Sequence, residues 1–323
     1  MTTPISLPGD EDSIERCARA IADGNLVAFP TETVYGLGAD ATNDESVAAI
    51  YSAKDRPTFN PLIVHVANVQ AARSLVYFCD QAESLAQAFW PGAISLVLPR
   101  RNDCGLSLLV SAGLETVAIR VPAHPLAHNL LVRAARPIAA PSANRSGEVS
   151  PTKAAHVLQS FAGSDGAERL LIVDGGSCPV GLESTVIDLS GGDATLLRPG
   201  GITAEKIEAI TGKLGLAGSN GNTPKSPGML SRHYAPTTPL RLNVTQAAEG
   251  EVLLGFGPAP IGTVFNLSST GNLSEAAANL FAMMHALDQE IYTGIAVMPI
   301  PEIGLGIAIN DRLHRAATSA KKM

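Results

Sequence analysis

The chain has 323 residues and a mass of 33.4 kDa, which is long for a single hydrophobic core, so we expect one large domain and a smaller one. With 46% hydrophobic and only 16% charged residues, the composition is that of a compact globular protein and argues against extended disorder. The formal net charge of -7 argues against a broad electrostatic footprint for nucleic acid and favours an enzyme that acts on small molecules.

The cysteines and the N-terminus both favour a cytoplasmic protein. The cysteines lie far apart, without a C-x-x-C pair or the spacing of zinc ligands: Cys17, Cys79, Cys104 and Cys178. The acidic N-terminus lacks the apolar segment of a signal peptide, and no run of 18 apolar residues occurs, so we expect neither export nor a membrane span.

The first part of the chain, residues 1–212, reads as an α/β domain. Apolar residues at helical spacing predict helices at 12–23, 44–53, 80–89, 124–134 and 152–161. Short β-rich runs predict strands at 26–29, 62–66, 94–98, 117–121, 138–140, 170–173, 185–189 and 195–197. Because a tight Gly191-Gly192-Asp193 turn joins the last two strands, we expect a twisted mixed sheet.

The remaining chain reads as a linker and a second, smaller domain. Residues 213–239 are rich in Gly, Ser, Asn, Pro and Thr, which is typical of a linker. Residues 240–323 then predict a small α/β, Rossmann-like domain with strands at 252–256, 264–267 and 295–298. We expect Ser274 to cap a helix that runs to about 289, and another helix from about 305.

Three polar residues and two glycines follow the first strand, in the segment PTETVYGLG at 30–38. In open α/β sheets, ligands bind beyond the carboxyl ends of the strands. Thr33 is suited to hydrogen-bond a polar substrate such as an amino acid, and Gly36 and Gly38 would let the backbone approach it. The alternative is a polar turn that caps the next helix.

A cationic segment and two basic residues within apolar strands come next. Lys54-Asp55-Arg56 ends a helix and either complements the helix dipole or binds an anion. His65 then stands in an apolar strand and is either a core residue or a ligand contact. Arg120 stands in another such strand, and a buried arginine requires an anionic partner, either a structural carboxylate such as Glu32 or Asp55, or a substrate carboxylate.

The segment 142–151, SANRSGEVSP, leaves a strand and enters a predicted helix at about 152. Ser150 is either the N-cap of that helix or part of an anion site in front of it. Polar or cationic residues at strand ends recur at 181–185 and 197–201. The motifs of P-loop, dinucleotide-binding, serine-hydrolase and zinc-protease sites are absent, and His124 and His128 lack an obvious third ligand, so we expect no metal site in the protein itself.

Seven segments, in order across about residues 26–203, resemble the YrdC-like threonylcarbamoyl-AMP synthases in their long, two-domain form. They are PTETVYGLG, KDRPTFNPLIVHV, WPGAISLVL, VAIRVP, APSANRSGEVSP, ESTVIDL and LLRPGGIT. After the linker, SPGMLSRHYAPTTPL resembles the lid segment of that family. Beyond residue 240 the likeness is mainly one of position.

The resemblance implies that ATP, L-threonine and bicarbonate or CO2 give threonylcarbamoyl-AMP and pyrophosphate, for modification of the tRNA adenosine beside the anticodon. It implies a downstream tRNA threonylcarbamoyl transferase as a partner and a weak contact with tRNA. We expect Mg²⁺ to arrive with ATP, because no carboxylate cage is evident.

The resemblance also implies roles for individual residues. We expect Lys54 and Arg56 to be catalytic, with Lys54 facing the reacting phosphate and carbamate. L-Threonine would contact Thr33, His65, Arg120 and Ser184. ATP would contact Arg56, Asn60, Ser142, Asn144, Ser150, Arg198 and Tyr234.

Three alternatives remain at this point. The segment with His233, Tyr234 and Pro236 is either a lid over the pocket or a plain spacer. The whole chain is either this synthase or a double-stranded RNA-binding module, against which the acidic charge argues. A related carbamoyl-adenylate enzyme with another acceptor, as in hydrogenase maturation, would carry cysteine motifs that the sequence lacks.

Overall fold

A computed structural model of the chain describes residues 2–216, 233–260 and 262–318. These residues form an eleven-stranded mixed sheet and a second, four-stranded sheet whose strands are all parallel. The predicted α/β class, with a large domain on a mixed sheet and a smaller second domain, is confirmed. Within these ranges, no helix is both long enough and apolar enough to cross a membrane.

The large sheet contains most of the predicted elements, with bounds that differ by one or two residues. Its strands are β1 (Ile5–Pro8), β2 (Val27–Phe29), β3 (Gly36–Asp40), β4 (Ile63–His65), β5 (Ile94–Pro99), β6 (Thr116–Arg120), β7 (Ile138–Ala139), β8 (Leu171–Asp174), β9 (Thr185–Asp188), β10 (Thr195–Arg198) and β11 (Gly215–Leu216). Its helices are α1 (Glu11–Ala22), α2 (Asp44–Lys54), α3 (Val69–Arg73), α4 (Asp80–Phe89), α5 (Pro125–Ala134), α6 (Ala154–Phe161) and α7 (Ala204–Thr211), and a 3-10 turn spans Ala167–Arg169.

Strand pairing brings the ends of several strands to one edge of this sheet. The hairpin predicted from its glycine turn is confirmed, since β9 and β10 pair antiparallel. β5 runs parallel to β9 and antiparallel to β6, which in turn runs parallel to β4. The carboxyl ends of β4, β6 and β10 therefore lie at the same edge as the beginning of β9.

The second half of the segment PTETVYGLG, for which a polar turn before a helix was the alternative to a ligand-binding segment, is a strand. β3 pairs antiparallel with β2, opposite Phe29. A Cβ at Gly38 would lie 2.7 Å from Phe29 and 2.8 Å from Ile138. Gly38 is therefore required for close packing inside the sheet, and not for the approach of a substrate as the sequence had suggested.

The second sheet has the side-to-side order β12-β15-β13-β14. Its strands are β12 (Leu240–Arg241), β13 (Glu251–Gly255), β14 (Phe265–Asn266) and β15 (Gly294–Val297), and its helices are α8 (Leu273–Leu287) and α9 (Leu305–Ala317). The prediction of Ser274 as the N-cap of α8 is wrong. Asn272 caps the helix, because its side chain accepts from the backbone N–H groups of Ser274 and Glu275.

The two parts of the chain share a continuous apolar core. Val34, Val149 and Leu182 pack in one cluster with the buried faces of α8 and α9. Gly181 has a φ of +72°, and a Cβ there would lie 2.5 Å from the Cα of Ala278 on α8. The loop before β9 is therefore held directly against the second domain.

The predicted linker, 213–239, is described only at its two ends. Gly215–Leu216 is the last strand of the large sheet, paired with β10, so the sheet extends past the predicted boundary at residue 212. Residues 217–232, which include the first part of the predicted lid, lie outside the described residues. The chain from His233 onward is described and leads into β12.

Candidate active site

A small cavity lies where the strand ends of the large sheet meet the second domain. Its volume is about 40 Å³. It is lined by Thr31, Thr33, Val34, Gly36, Arg56, Ile63, His65, Arg120, Ala140, Pro141, Ser142, Glu183, Ser184, Arg198, His233 and Tyr234. Eight of the twelve residues predicted from the sequence are in this set.

Arg120, the last residue of β6, forms a buried ion pair with Glu32 at 2.5 Å. The guanidinium also donates to the Thr33 hydroxyl at 2.9 Å and to the carbonyl of Gly92 at 3.1 Å. Of the two carboxylates suggested by the sequence, Glu32 is the partner. The pair fixes the Arg120 guanidinium and the Thr33 hydroxyl against the cavity.

His65, the last residue of β4, lies beside Arg120 in register. Burial, with a smaller contribution from the Arg120 cation, lowers the pKa of His65 to about 3. The imidazole is therefore neutral at physiological pH. Its Nδ1 atom is buried without a hydrogen-bond partner among the described residues.

Ser184 and Arg198 are joined across the beginning of β9 and the end of β10. Arg198 donates from Nε and from one terminal nitrogen to the Ser184 carbonyl, at 3.1 and 2.9 Å, and also contacts the Ser184 hydroxyl at 3.2 Å. That hydroxyl is 2.8 Å from the hydroxyl of Ser95. A Cβ at Gly200 would lie 2.5 Å from the backbone N of Thr185, so the two segments pack backbone to backbone.

Lys54 is fully buried and does not complement the dipole of its own helix. Its Nζ atom donates to the carbonyl of Ser142 at 2.6 Å and to the carbonyl of Asn144. Burial and the neighbouring Arg56 cation lower the pKa of Lys54 well below its ordinary value. Lys54 lies behind the cavity wall and holds the loop at 142–144, so its expected contact with the phosphate and carbamate stays a prediction.

Arg56 reaches the cavity from the turn after α2. It donates to the carbonyls of Asn60 and Pro61, at 3.2 and 3.0 Å. In the described part of the chain no carboxylate lies within ion-pair distance of it. Burial lowers the pKa of Arg56 to about 10, which leaves it charged at neutral pH. Beside it, both amide atoms of Asn60 are buried without a hydrogen-bond partner among these residues.

In the 142–151 loop, the structure excludes one of the two functions suggested for Ser150, that of a helix N-cap. Helix α6 begins at Ala154 after Lys153, so Ser150 is not its N-cap. The Ser150 hydroxyl donates instead to a Glu183 carboxylate oxygen at 2.5 Å. Asn144 donates to the carbonyls of Arg145 and Glu148, and its Oδ1 has no partner in the described ranges.

Tyr234 is completely buried on the side of the cavity that faces the second domain. Its ring stacks on Phe281 of α8 at 5.5 Å, and its hydroxyl has no hydrogen-bond partner within the described residues. The backbone that follows is attached to the second domain, because the Asp288 carboxylate accepts from the N–H groups of Thr237 and Thr238. The chain at His233 and Tyr234 thus forms the wall of the cavity on that side.

Among the described residues, five basic side chains and two carboxylates lie in the lining of the cavity or directly behind it. The cations are Lys54, Arg56, Arg120, Arg198 and Arg312, and the carboxylates are Glu32 and Glu183. The excess of positive charge, together with buried polar atoms that lack partners, suits this region to anionic ligands. No group of three His, Cys, Asp or Glu residues that could hold a metal ion occurs in the ranges that the structure describes.

Four of the predicted residues lie just outside the cavity lining: Lys54, Asn60, Asn144 and Ser150. Two important residues were not among the predictions. Glu183 lies in the polar segment 181–185 at the beginning of β9, and Arg312 lies in the second domain. Helical spacing places Arg312 on the same face of α9 as the buried Ile309, Leu313 and Ala316, so an arginine on an apolar face was the signal that could have identified it.

Two family models match the chain. The one described as "Telomere recombination" (Sua5_yciO_yrdC) matches residues 19–200, and the one described as "Threonylcarbamoyl-AMP synthase, C-terminal domain" matches residues 202–318. The chain belongs to the threonylcarbamoyl-AMP synthase family. Both domains predicted from the sequence resemblance therefore have a counterpart in this family.

Individual relatives match over nearly the whole length. The threonylcarbamoyl-AMP synthases of Bacillus subtilis and Pyrococcus abyssi are 41% and 40% identical, over 96% and 95% of this chain and 94% and 95% of theirs. The crystal structure of Pyrococcus abyssi Sua5 in complex with L-threonine is similar with a TM-score of 0.88, at 38% identity and over 98% of each chain.

Proposed function

We propose that this chain is an L-threonylcarbamoyladenylate synthase, a nucleotidyltransferase that converts L-threonine, bicarbonate or CO2 and ATP into threonylcarbamoyl-AMP and pyrophosphate. The observation that carries the proposal is the convergence of arginines on one buried cavity, where two carboxylates accompany them among the described residues. Because ATP and tRNA are intracellular, the proposed reaction takes place in the cytoplasm.

The chemistry accounts for the charge of the site. The L-threonine amine adds to CO2 and loses a proton, which gives a carbamate. A carbamate oxygen then attacks the α-phosphorus of ATP, and the bond to pyrophosphate breaks. The carbamate, ATP and the departing pyrophosphate are all anionic, so the protein acts mainly by positioning them and by neutralising charge.

For L-threonine we propose contacts with Thr33, His65, Arg120 and Ser184. The Arg120 guanidinium would bind the amino-acid carboxylate, to which it is attracted as it is to Glu32. The buried Nδ1 of neutral His65 can accept or donate a hydrogen bond, according to its tautomer. The solved complex of the Pyrococcus abyssi relative with L-threonine supports the choice of this substrate.

For ATP we propose contacts with Arg56, Asn60, Ser142, Asn144, Ser150, Arg198 and Tyr234, with Arg56 and Lys54 at the reacting phosphate. An ammonium group has three N–H donors, and Lys54 uses two of them for backbone carbonyls, so one remains for a phosphate or carbamate oxygen. Mg²⁺ would enter as part of the MgATP substrate. The two carboxylates at the site are already paired with arginines and do not form a metal cage.

Substrate entry requires movement of Tyr234. A cavity of about 40 Å³ is far smaller than a typical ligand pocket of about 300 Å³ or more. A larger cavity of about 620 Å³ is lined by Asp55, Gly147, Ala235, Pro236 and their neighbours, directly beside the covered one. We propose that displacement of the Tyr234 ring joins the two spaces, and that its return excludes water from the labile adenylate.

The product would pass to a separate tRNA threonylcarbamoyl transferase, with at most a weak contact between this chain and tRNA. The alternative of an RNA-binding module without catalysis is not favoured, because the full-length relatives are named as synthases.

The deciding experiment is an assay of pyrophosphate release with MgATP, bicarbonate and each of the twenty amino acids in turn. We expect release with L-threonine, a product mass equal to threonylcarbamoyl-AMP, and loss of both signals in Lys54→Ala and Arg56→Ala. Lys153→Ala, at an exposed position, is the matched control. Release that does not depend on an amino acid, or full activity in both variants, would contradict the proposal.

A further inference from the structure

Arg312 is a residue of the second domain whose side chain ends in the first domain. It belongs to α9 and is the largest fully buried side chain of the described residues. Its Nε donates to a Glu183 carboxylate oxygen at 3.0 Å, and NH1 donates to the carbonyl of Pro199 at 2.6 Å. The guanidinium also lies over the ring of Tyr234, 5.4 Å from its centre.

Each of these contacts connects Arg312 to a residue of the candidate site, directly or through one intermediate residue. The other oxygen of Glu183 accepts the Ser150 hydroxyl, and Glu183 precedes Ser184. Pro199 follows Arg198, which donates to Ser184. One arginine therefore links the loop before β9, the loop after β10 and the chain that covers the cavity.

A purely structural function explains these contacts less well. A buried arginine that only joined two domains would be expected to use all its donors, yet NH2 has no partner among the described residues. The domains are also joined without it, by the apolar cluster of α8 and α9 and by a hydrogen-bond contact between His285 Nε2 and the Ser150 carbonyl at 3.2 Å.

We propose that Arg312 is a positioning residue of the active site, which holds Glu183 away from Arg198 and thereby keeps the nucleotide-binding residues Ser150 and Arg198 in place. The inference rests on the proposed function for the identity of the nucleotide. Glu183 stands next to Ser184, to whose carbonyl Arg198 donates, so the two charges are neighbours. Their attraction lowers the pKa of Glu183 and opposes the effect of burial on the pKa of Arg198. Without Arg312, the Glu183 carboxylate would turn to Arg198 and reduce its attraction for phosphate.

The proposal predicts that substitution of Arg312 weakens the binding of ATP much more than the binding of L-threonine. Ser150 and Arg198 belong to the proposed ATP contacts. Of the proposed L-threonine contacts, Arg120 pairs with Glu32 and donates to Thr33 inside the first domain. Ser184 is the one that adjoins Glu183, and its hydroxyl is also held by Ser95 of the first domain. We expect Arg312→Met to raise the Kd and KM for ATP by about tenfold or more, and to change the Kd for L-threonine by less than about threefold. The affinity of Arg312→Lys for ATP should fall between those of the wild type and Arg312→Met, because an ammonium keeps the charge but lacks the planar set of donors of a guanidinium.

Two further variants separate positioning from stability. Leu313→Ala removes a buried side chain from the same helix without touching the ion pair, and should lower the Tm while leaving the affinity for ATP unchanged. In Glu183→Gln/Arg312→Met the buried carboxylate charge is absent, so we expect much of the lost affinity for ATP to return. This double variant removes both members of the Glu183–Arg312 pair, so neither is left buried without the other, and Asp311 keeps its pair with Arg315. Together with Arg312→Lys it decides the question even if Arg312→Met does not fold.

The measurements are calorimetric titrations with MgATP and with L-threonine on the full chain, followed by KM and kcat for pyrophosphate release. Wild-type affinity for ATP in Arg312→Lys and Arg312→Met, or an equal loss in Leu313→Ala, would overturn the proposal. A Glu183→Gln/Arg312→Met variant whose affinity for ATP is as low as that of Arg312→Met would also overturn it. Absence of threonine-dependent pyrophosphate release from the wild type would contradict the proposed function alone, because the titrations still compare ATP binding.

Discussion

Two buried carboxylates each hold an arginine beside the cavity, and they differ in what they connect. Glu32 binds Arg120 at 2.5 Å within the large sheet, where the arginine lies in register with His65. Glu183 binds Arg312 at 3.0 Å across the two domains. The first pair fixes Arg120 and Thr33, which are proposed for L-threonine, and the second fixes Glu183, which accepts from Ser150 on the side proposed for ATP. We therefore expect the nucleotide side of the site to depend on the second domain more than the L-threonine side does.

The largest expected effect comes from breaking the pair inside the first domain. Arg120→Met leaves the Glu32 carboxylate buried without its cation, which should lower the free energy of unfolding by about 3–5 kcal/mol. L-Threonine binding should be lost while ATP binding persists in the folded fraction. Urea unfolding and calorimetric titration measure the two effects.

The half-exposed ion pair between Arg73 and Glu83 provides the control for Arg120→Met. Arg73→Met should lower the free energy of unfolding far less than Arg120→Met does, because solvent screens an exposed pair. Equal losses of stability in the two variants would show that burial does not distinguish the pairs.

Arg56 allows the nucleotide side to be weakened without touching either ion pair. Arg56→Met should lower kcat/KM for ATP by about 10²-fold, because a fixed cation beside the developing charge is lost. The Kd for L-threonine should stay near the wild-type value. Arg101→Met, which removes a surface arginine stacked on Tyr77, is the control. A parallel loss of L-threonine affinity would mean that the two sides are not separable.

His65 tests the L-threonine side through pH. Its folded-state pKa of about 3 lies below the ordinary 6.5, so between these values the unfolded chain binds a proton that the native state does not. Stability therefore falls as the pH is lowered from about 6.5 towards 3. His65→Gln should reduce this slope by up to about 1.4 kcal/mol per pH unit.

Urea unfolding at pH 7 and pH 5 measures the slope, and His314→Gln, at an exposed helix position, controls for the loss of an imidazole as such. An unchanged slope in His65→Gln would show that this histidine is protonated in the native state over the same range.

The smallest expected change in stability is that of Tyr234→Phe. The hydroxyl is buried without a partner in the described residues, so its removal should leave the free energy of unfolding unchanged or raise it by up to about 1 kcal/mol. If the hydroxyl meets ATP, the KM for ATP should rise at the same time. A clear loss of stability would show that the hydroxyl has a partner in solution.

The sequence predicted the first domain and most of its site because the residues involved stand at strand ends with recognisable local patterns. Arg120 and His65 interrupt apolar strands, and Arg56 follows a helix terminus. The roles of these residues towards particular substrate atoms remain predictions, since they rest on the family resemblance and on the cavity that contains them.

The features of the site that the sequence did not predict depend on contacts between residues far apart in the chain. Glu183 and Arg312 are 129 positions apart, and nothing local indicates that they meet. The helix cap that was one of the two alternatives for Ser150 is the usual function of a serine before a helix, but a distant carboxylate accepts its hydroxyl instead. Gly36 and Gly38 were expected to let the backbone approach a substrate, whereas both lie against the ring of Phe29 inside the sheet.

The attachment of Thr237 to Asp288 places a pivot for the covering chain on the second domain. Tyr234 lies three residues before that pivot, and an extended arm of three residues spans about 10 Å. Between the two, the Ala235 N–H donates to the Gly147 carbonyl of the first domain, so the ring can leave the cavity only if this hydrogen bond breaks. In the proposed reaction, an entering nucleotide would therefore have to release one backbone hydrogen bond to the first domain, while Asp288 keeps the other end of the arm at the C-terminus of α8.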